Sequence, residues 1–407
     1  MGNQKEDIML EIYNLLQTTT GKSLFETIDE KQKALEISNL QLANILSIPK
    51  STFDRIIKNI EDNNLHDVDF YLVLKLGQFL GVGIEEMSQI YVASLKPEKI
   101  KELESARKAN YILSTFDLKS LKKIGFIENI SDFESIEERI KSFFCLNTIF
   151  EYSNEVGGVL FSRTKNLSND KMRELWVRSA MFQFQKRENP NDFEVEKLLA
   201  IIPKIRPYTR YEEKGFLSVL QALYNVGVTV IVQTYLSKTQ VRGGTFAINN
   251  KPCIVITDFN KNYPTLWFAL LHELYHVIYD FTELKKLTYH LTGEEQSELY
   301  LFREDLADYF AREMLFPKEN LAYIKHLIKM PTMVNDYAEK LKVHPSIIYS
   351  FYCYEENEKG KNYYASFNHY FGKSDKAIQV VRTHPWDKET IYHEIDKANK
   401  ILVPNNS

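Results

Sequence analysis

The chain changes character at Pro207. Before it, glycine and proline are scarce and apolar residues recur at helical spacing almost throughout, so this half reads as helices. After it comes "VTVIVQTY" (228–235), rich in β-branched side chains that suit a pleated strand. "GGTFAINNKPCIVITD" (243–258) then reads as a hairpin. Phe246 and Ile248 lie on one arm and Ile254, Val255 and Ile256 on the other, with Asn249–Asn250 tolerating the positive φ of a tight turn. A helical half followed by a small mixed sheet and more helices predicts an α+β fold.

The 407 residues suffice for two or three domains and a large core. The expected divisions are a compact helical unit over 1–95, a helical connector over 96–205, a sheet-bearing domain over 206–345 and a C-terminal extension over 346–407. The net charge of −4 gives no whole-chain field to draw the protein onto nucleic acid, so any such contact must come from a local patch. Three distant cysteines, Cys145, Cys253 and Cys353, make no CxxC pair and argue against a disulfide framework or a thiolate metal site. The early charges of "MGNQKEDIMLEIYNLL" do not suit a secretory segment, and no apolar run approaches the roughly 20 residues of a membrane span. A cytoplasmic protein without a membrane partner is the expectation.

Within "WFALLHELYHVIYD" (267–280), His272 and His276 stand four residues apart. On a helix both imidazoles project from one stripe, one turn apart, where they can hold a single zinc ion. Glu273, beside the first, suits the general base of a hydrolase. Trp267, Leu270, Leu271, Leu274, Val277 and Ile278 supply an apolar face, and Pro264 stands where a helix can start. So short a pattern also arises by chance on an ordinary buried helix, so a third ligand is needed. "EDLADYFAREMLFP" (304–317) follows His276 by 28 residues. Thr292 and Glu295 offer a capping box to open its helix. Glu304, Ala307 and Ala311 share one face, and the alanines allow close approach to the first helix. By spacing alone, Asp305 and Asp308 compete with Glu304 as ligands.

These residues resemble the ImmA/IrrE family of zinc metallopeptidases, which pairs a HExxH helix with a later ExxAxxFAxxLLxP helix. Glu304, Ala307, Phe310, Ala311, Met314, Leu315 and Pro317 follow that pattern, and "VRGGTFAINNKPCIVIT" and "YAEKLKVHPSIIYSF" are similar to flanking segments. The resemblance covers roughly 193–351. It implies a zincin-like domain with Zn2+ held by His272, His276 and Glu304, and Glu273 as the catalytic glutamate. Two positions depart from the family. Tyr275 replaces the usual glycine, where it would narrow the approach to the metal or pack against a partner. Asp280 replaces a histidine and stands where it could hold a ligand imidazole. His344 is a further candidate, for oxyanion stabilisation; a loop histidine before proline is more often plain surface.

Residues 39–60, "NLQLANILSIPKSTFDRIIKNI", have the spacing of a helix-turn-helix. Leu42, Ala43 and Leu46 face inward from a first helix, Ser47–Pro49 break it, Ser51 caps a second, and Phe53, Ile56 and Ile57 face inward. With "YLVLKLGQFLGVGIEEM" after it, the stretch resembles the Xre/Cro repressor family, with Ser47 where a glycine is usual. The resemblance implies double-stranded DNA as a partner. Lys50, Ser51, Thr52 and Arg55 would meet base edges or phosphates, and Lys58 the backbone. A helical protein-interaction module is the competing reading. The amphipathic run 7–16 suits core or a homodimer contact through the N-terminal helices.

The combined expectation is a DNA-associated zinc endopeptidase that cleaves a regulatory protein, a repressor or toxin partner, in bacterial stress response, prophage control or phage defence. The sheet edge near Ile254–Thr257 would hold substrate as an added strand. Two alternatives remain: an antitoxin-like transcriptional regulator whose zincin half senses or binds without turnover, and a purely structural zinc domain.

Overall fold

The computed structural model describes residues 23–62, 64–153, 169–236, 239, 243–258, 261–285, 290–291, 298–387 and 390–402. The 7–16 run and the Thr292–Glu295 capping box lie outside them. The chain is mostly helical with one small mixed sheet, and among the described residues no strand precedes Thr229. It divides into two compact units, Met1–Ser114 and Thr115–Ser407. The division falls inside the span expected as a connector. The 346–407 stretch, expected as an extension, instead contributes a strand and several helices to the second unit.

The first unit runs through α1 (Leu24–Leu35), α2 (Asn39–Ile45), α3 (Lys50–Glu61), α4 (Phe70–Leu80), α5 (Ile84–Ala93) and most of α6 (Pro97–Thr115). Capping boxes, Ser23 with Glu26 and Ser38 with Gln41, satisfy orphan amides at the starts of α1 and α2. Between α2 and α3 the chain reverses through Ser47, held at a φ of 56°, where a glycine would carry no Cβ penalty. The expected cap at Ser51 is absent. α3 begins at Lys50, directly after Pro49, so Ser51 falls inside the first turn. Leu42, Ala43, Leu46, Phe53 and Ile56 are buried against Val73, Leu76 and Met87, and Ile57 is half-buried. Each large side chain so buried contributes about 1.5–3 kcal/mol of transfer free energy. Gly77 marks the α4–α5 approach, since a Cβ there would sit 2.2 Å from Met87 Cγ.

In the second unit the sheet has the order β4–β2–β3–β1–β5, from β1 (Thr229–Gln233), β2 (Gly243–Ile248), β3 (Lys251–Thr257), β4 (His290–Leu291) and β5 (Arg382–Thr383). β2 and β3 form the antiparallel hairpin, turning through Asn249 and Asn250 at φ 51° and 62°. β1 pairs parallel with both β3 and β5. β3 is therefore interior, and the substrate edge expected at Ile254–Thr257 does not exist. Its second side is taken by β1, in register Ile254 to Val230 and Thr257 to Gln233.

Helices cover both faces, which is why β1 and β3 are buried almost without alternation. On one face Val230, Val232, Ile254 and Ile256 pack with Phe216, Leu220 and Leu223 of α8 (Gly215–Asn225) and with Trp267, Leu270 and Leu274 of α9 (Tyr263–Tyr279). On the other lies α7 (Asn169–Arg187), whose Gln183 amide donates to Gln233 Oε1 at 2.7 Å. α10 (Glu298–Leu315) lies along α9, with Ala307 and Ala311 fully buried in the contact. α11 (Pro345–Glu358) packs on α9 from another side. No described helix is long and apolar enough to cross a membrane.

Candidate metal centre

α9 starts with Pro264 in its first turn, as its missing amide favours, and presses its apolar stripe into the core. The remaining stripe carries the polar residues inward, and His272, Glu273 and His276 are each at most 2% exposed. Buried polar groups at this depth need partners, and the partners define the site. His272 Nε2 and His276 Nε2 lie 3.4 Å apart. Glu304 reaches across from α10, one carboxylate oxygen 3.2 Å from His272 Nε2 and the other 3.3 Å from His276 Nε2.

These separations match a metal site. Donors about 2.0–2.2 Å from a tetrahedral zinc ion are separated by about 3.3–3.6 Å along each edge. The three side chains form a group able to hold a metal ion. Their other atoms agree. His272 Nδ1 is 2.7 Å from Asp308 Oδ1, and His276 Nδ1 is 2.7 Å from Asp280 Oδ2. A carboxylate on Nδ1 favours the proton there and leaves the Nε2 lone pair facing the other donors.

Electrostatics point the same way. Burial opposes charge on His272, but hydrogen bonds to Asp308 and Glu304, with the nearby Glu273 charge, outweigh it and raise its pKa to about 10. Burial likewise opposes charge on His276, and Asp280 and Glu304 raise its pKa nonetheless. The carboxylates around the two imidazoles thus favour positive charge at this point of the fold.

Glu273 is held from the sheet. Thr245 Oγ1 on β2 donates to Glu273 Oε2 at 2.6 Å. Beside Oε1 stands Gly243, where a Cβ would approach to 2.6 Å. The strand thus fixes one oxygen and, by lacking a side chain, leaves room for the other. Thr245 and Gly243 face α9 because they pair with Ile254 and Ile256, which point to that side. The sequence reading missed both, along with the role of Asp308. The two-residue alternation of Gly243 and Thr245 on the hairpin arm was the available signal.

The other candidates sort clearly. Of the competing acids, Asp305 is exposed and Asp308 bonds the back of His272, leaving Glu304 as the third donor. Tyr275 packs among aromatic rings. Its ring meets His276 edge-on at 5.6 Å and packs with Tyr279 at 4.7 Å and Phe310 of α10 at 5.8 Å. His344 is not brought to the site. It caps α11, with Nδ1 2.6 Å from Ser346 Oγ and Nε2 3.2 Å from Glu212 Oε1. Its ring touches Tyr263, which lies nine residues, about 13 Å along α9, before His272. On α3, Lys50, Ser51, Arg55 and Lys58 are exposed and Thr52 is half-buried, while Lys50 pairs with Asp54 at 2.9 Å.

No family model, curated protein or solved structure matches the chain. The likeness to ImmA/IrrE peptidases and Xre repressors rests on the residues themselves.

Proposed function

We propose that the second unit is a zinc-dependent peptidase, with His272, His276 and Glu304 holding the ion. The observation that carries this reading is the convergence of two imidazole Nε2 atoms 3.4 Å apart with the two oxygens of one carboxylate, each 3.2–3.3 Å from one of them, and a buried glutamate next to the first histidine. When bound, zinc supplies Lewis-acid polarisation of a carbonyl and makes water more acidic. Asp308 and Asp280 hold the Nδ1 protons and so orient the two imidazoles. Thr245 holds Glu273 through Oε2, and the Glu273 carboxylate takes the proton of the attacking water. Water adds its oxygen to the carbonyl carbon, the C–N bond breaks, and Glu273 returns the proton to the departing nitrogen. The substrate we infer is a regulatory protein, a repressor or toxin partner, as the ImmA/IrrE resemblance implies.

The test is Glu273→Gln in the full chain. The variant keeps one zinc per chain, whereas His272→Ala loses it, and cleavage disappears in both. If Glu273→Gln leaves the biological readout intact, the peptidase reading is wrong and a sensing or structural zinc domain replaces it.

For the first unit we infer a helix-turn-helix that touches DNA through α3, supported by the outward Ser51, Arg55 and Lys58. The contact is local, because residues 1–114 hold 13 lysines and arginines against 17 aspartates and glutamates. Arg55→Ala abolishes a gel shift on the cognate operator; unchanged binding to every candidate operator removes α3 as the reading helix.

A further inference from the structure

A second surface of the first unit differs in chemistry from the α3 face. A groove of about 570 Å³ runs along α4. Tyr71, Leu74, Lys75 and Gln78 make its floor, at the i, i+3, i+4 and i+7 positions of one helix face, with Ile45 and Ile84 as walls. None of its lining residues lies on α3. Ile45, Tyr71 and Ile84 are 53%, 67% and 58% exposed. These three apolar side chains gather around one depression instead of being scattered singly over the surface. The floor spans seven residues, about 10 Å, which is two turns of a helix laid into it.

Charge selects the occupant. Residues 1–114 carry the whole of the chain's net charge of −4, since the remaining residues balance. Exposed acids flank the lining residues in sequence, Asp67, paired with His66, and Asp69, which caps α4, before Tyr71, and Glu85 directly after Ile84. The one cation in the floor is engaged: Lys75 Nζ donates to the Leu46 carbonyl and lies over the Tyr71 ring. A second copy of this unit would bring a like charge to the face. We propose that the groove binds an amphipathic helix of a partner protein, with an apolar stripe of two turns flanked by lysines or arginines.

The test uses the full chain and a fluorescein-labelled 18-residue helical peptide, leucines at i, i+4 and i+7 and lysines on its other face. Saturable binding by fluorescence anisotropy is expected, weakened at least about tenfold by the double substitution Tyr71→Ser with Ile84→Ser. Both side chains are mostly exposed, so the fold is retained, and circular dichroism checks this. Glu85→Lys, which leaves the apolar floor intact, weakens the lysine peptide and strengthens a glutamate version of it. Absence of saturation, equal binding by the double variant, or equal binding of the glutamate peptide overturns the proposal. So does sedimentation showing a dimer that the double variant dissociates, which makes a second copy the occupant.

Discussion

Asp280 and Asp308 make the same 2.7 Å bond to the two ligand imidazoles, yet their removal should not cost the same. A carboxylate behind a ligand histidine is worth about 10–100-fold in metal affinity, or about 1.4–2.7 kcal/mol. Where water can take over the bond, the loss lies at the low end. The Asp308 side chain is 43% exposed, so water replaces it readily; Asp280 is 12% exposed, so water reaches His276 Nδ1 far less easily. Asp308→Ala is therefore expected to weaken zinc binding about tenfold, and Asp280→Ala closer to a hundredfold. Asp280→Asn, which keeps an acceptor oxygen, recovers part of the loss. Competition against a chromophoric chelator at fixed pH measures all three, with His272→Ala as the reference for a missing ligand. Equal losses, the reverse order, or losses under about twofold refute the link between exposure and cost.

Metal-free protein should show a pH dependence that zinc removes. His272 is raised from 6.5 to about 10 in the fold, so its ion pairing stabilises fully below pH about 6.5 and the contribution fades as pH rises through 10. The Tm of chelator-treated protein falls over that range more steeply than that of His272→Gln; parallel curves would remove the imidazolium cluster as the cause. In the first unit, Ser47→Gly relieves the positive φ of 56° and should raise stability by about 1 kcal/mol, seen as a higher denaturant midpoint at unchanged m. An unchanged or lower midpoint would mean that Ser47 contributes more than its backbone strain costs.

What could be read directly from the chain was local. The paired histidines of α9, the alanine face of α10, the Asn249–Asn250 turn and the Leu42–Phe53 core all depend on periodicities of a few residues, and each is where that periodicity puts it. Spacing narrowed the third ligand to Glu304, Asp305 and Asp308, but one helical turn holds all three. Only the way α10 rolls against α9, with Ala307 and Ala311 buried between them, sends Glu304 to the donors and Asp308 behind His272. Sheet order is likewise a long-range matter. β1 lies parallel beside β3 and closes off the side that local reading left open as an edge, and β1 in turn pairs with β5, some 150 residues further along the chain. The same hairpin carries Thr245 onto Glu273, 28 positions away, because a strand's two-residue alternation and a helix's 3.6-residue turn meet only once the elements pack. Residue types and their period determine which side chains can do chemistry; the packing of α9 between sheet and α10 decides which of them share a site.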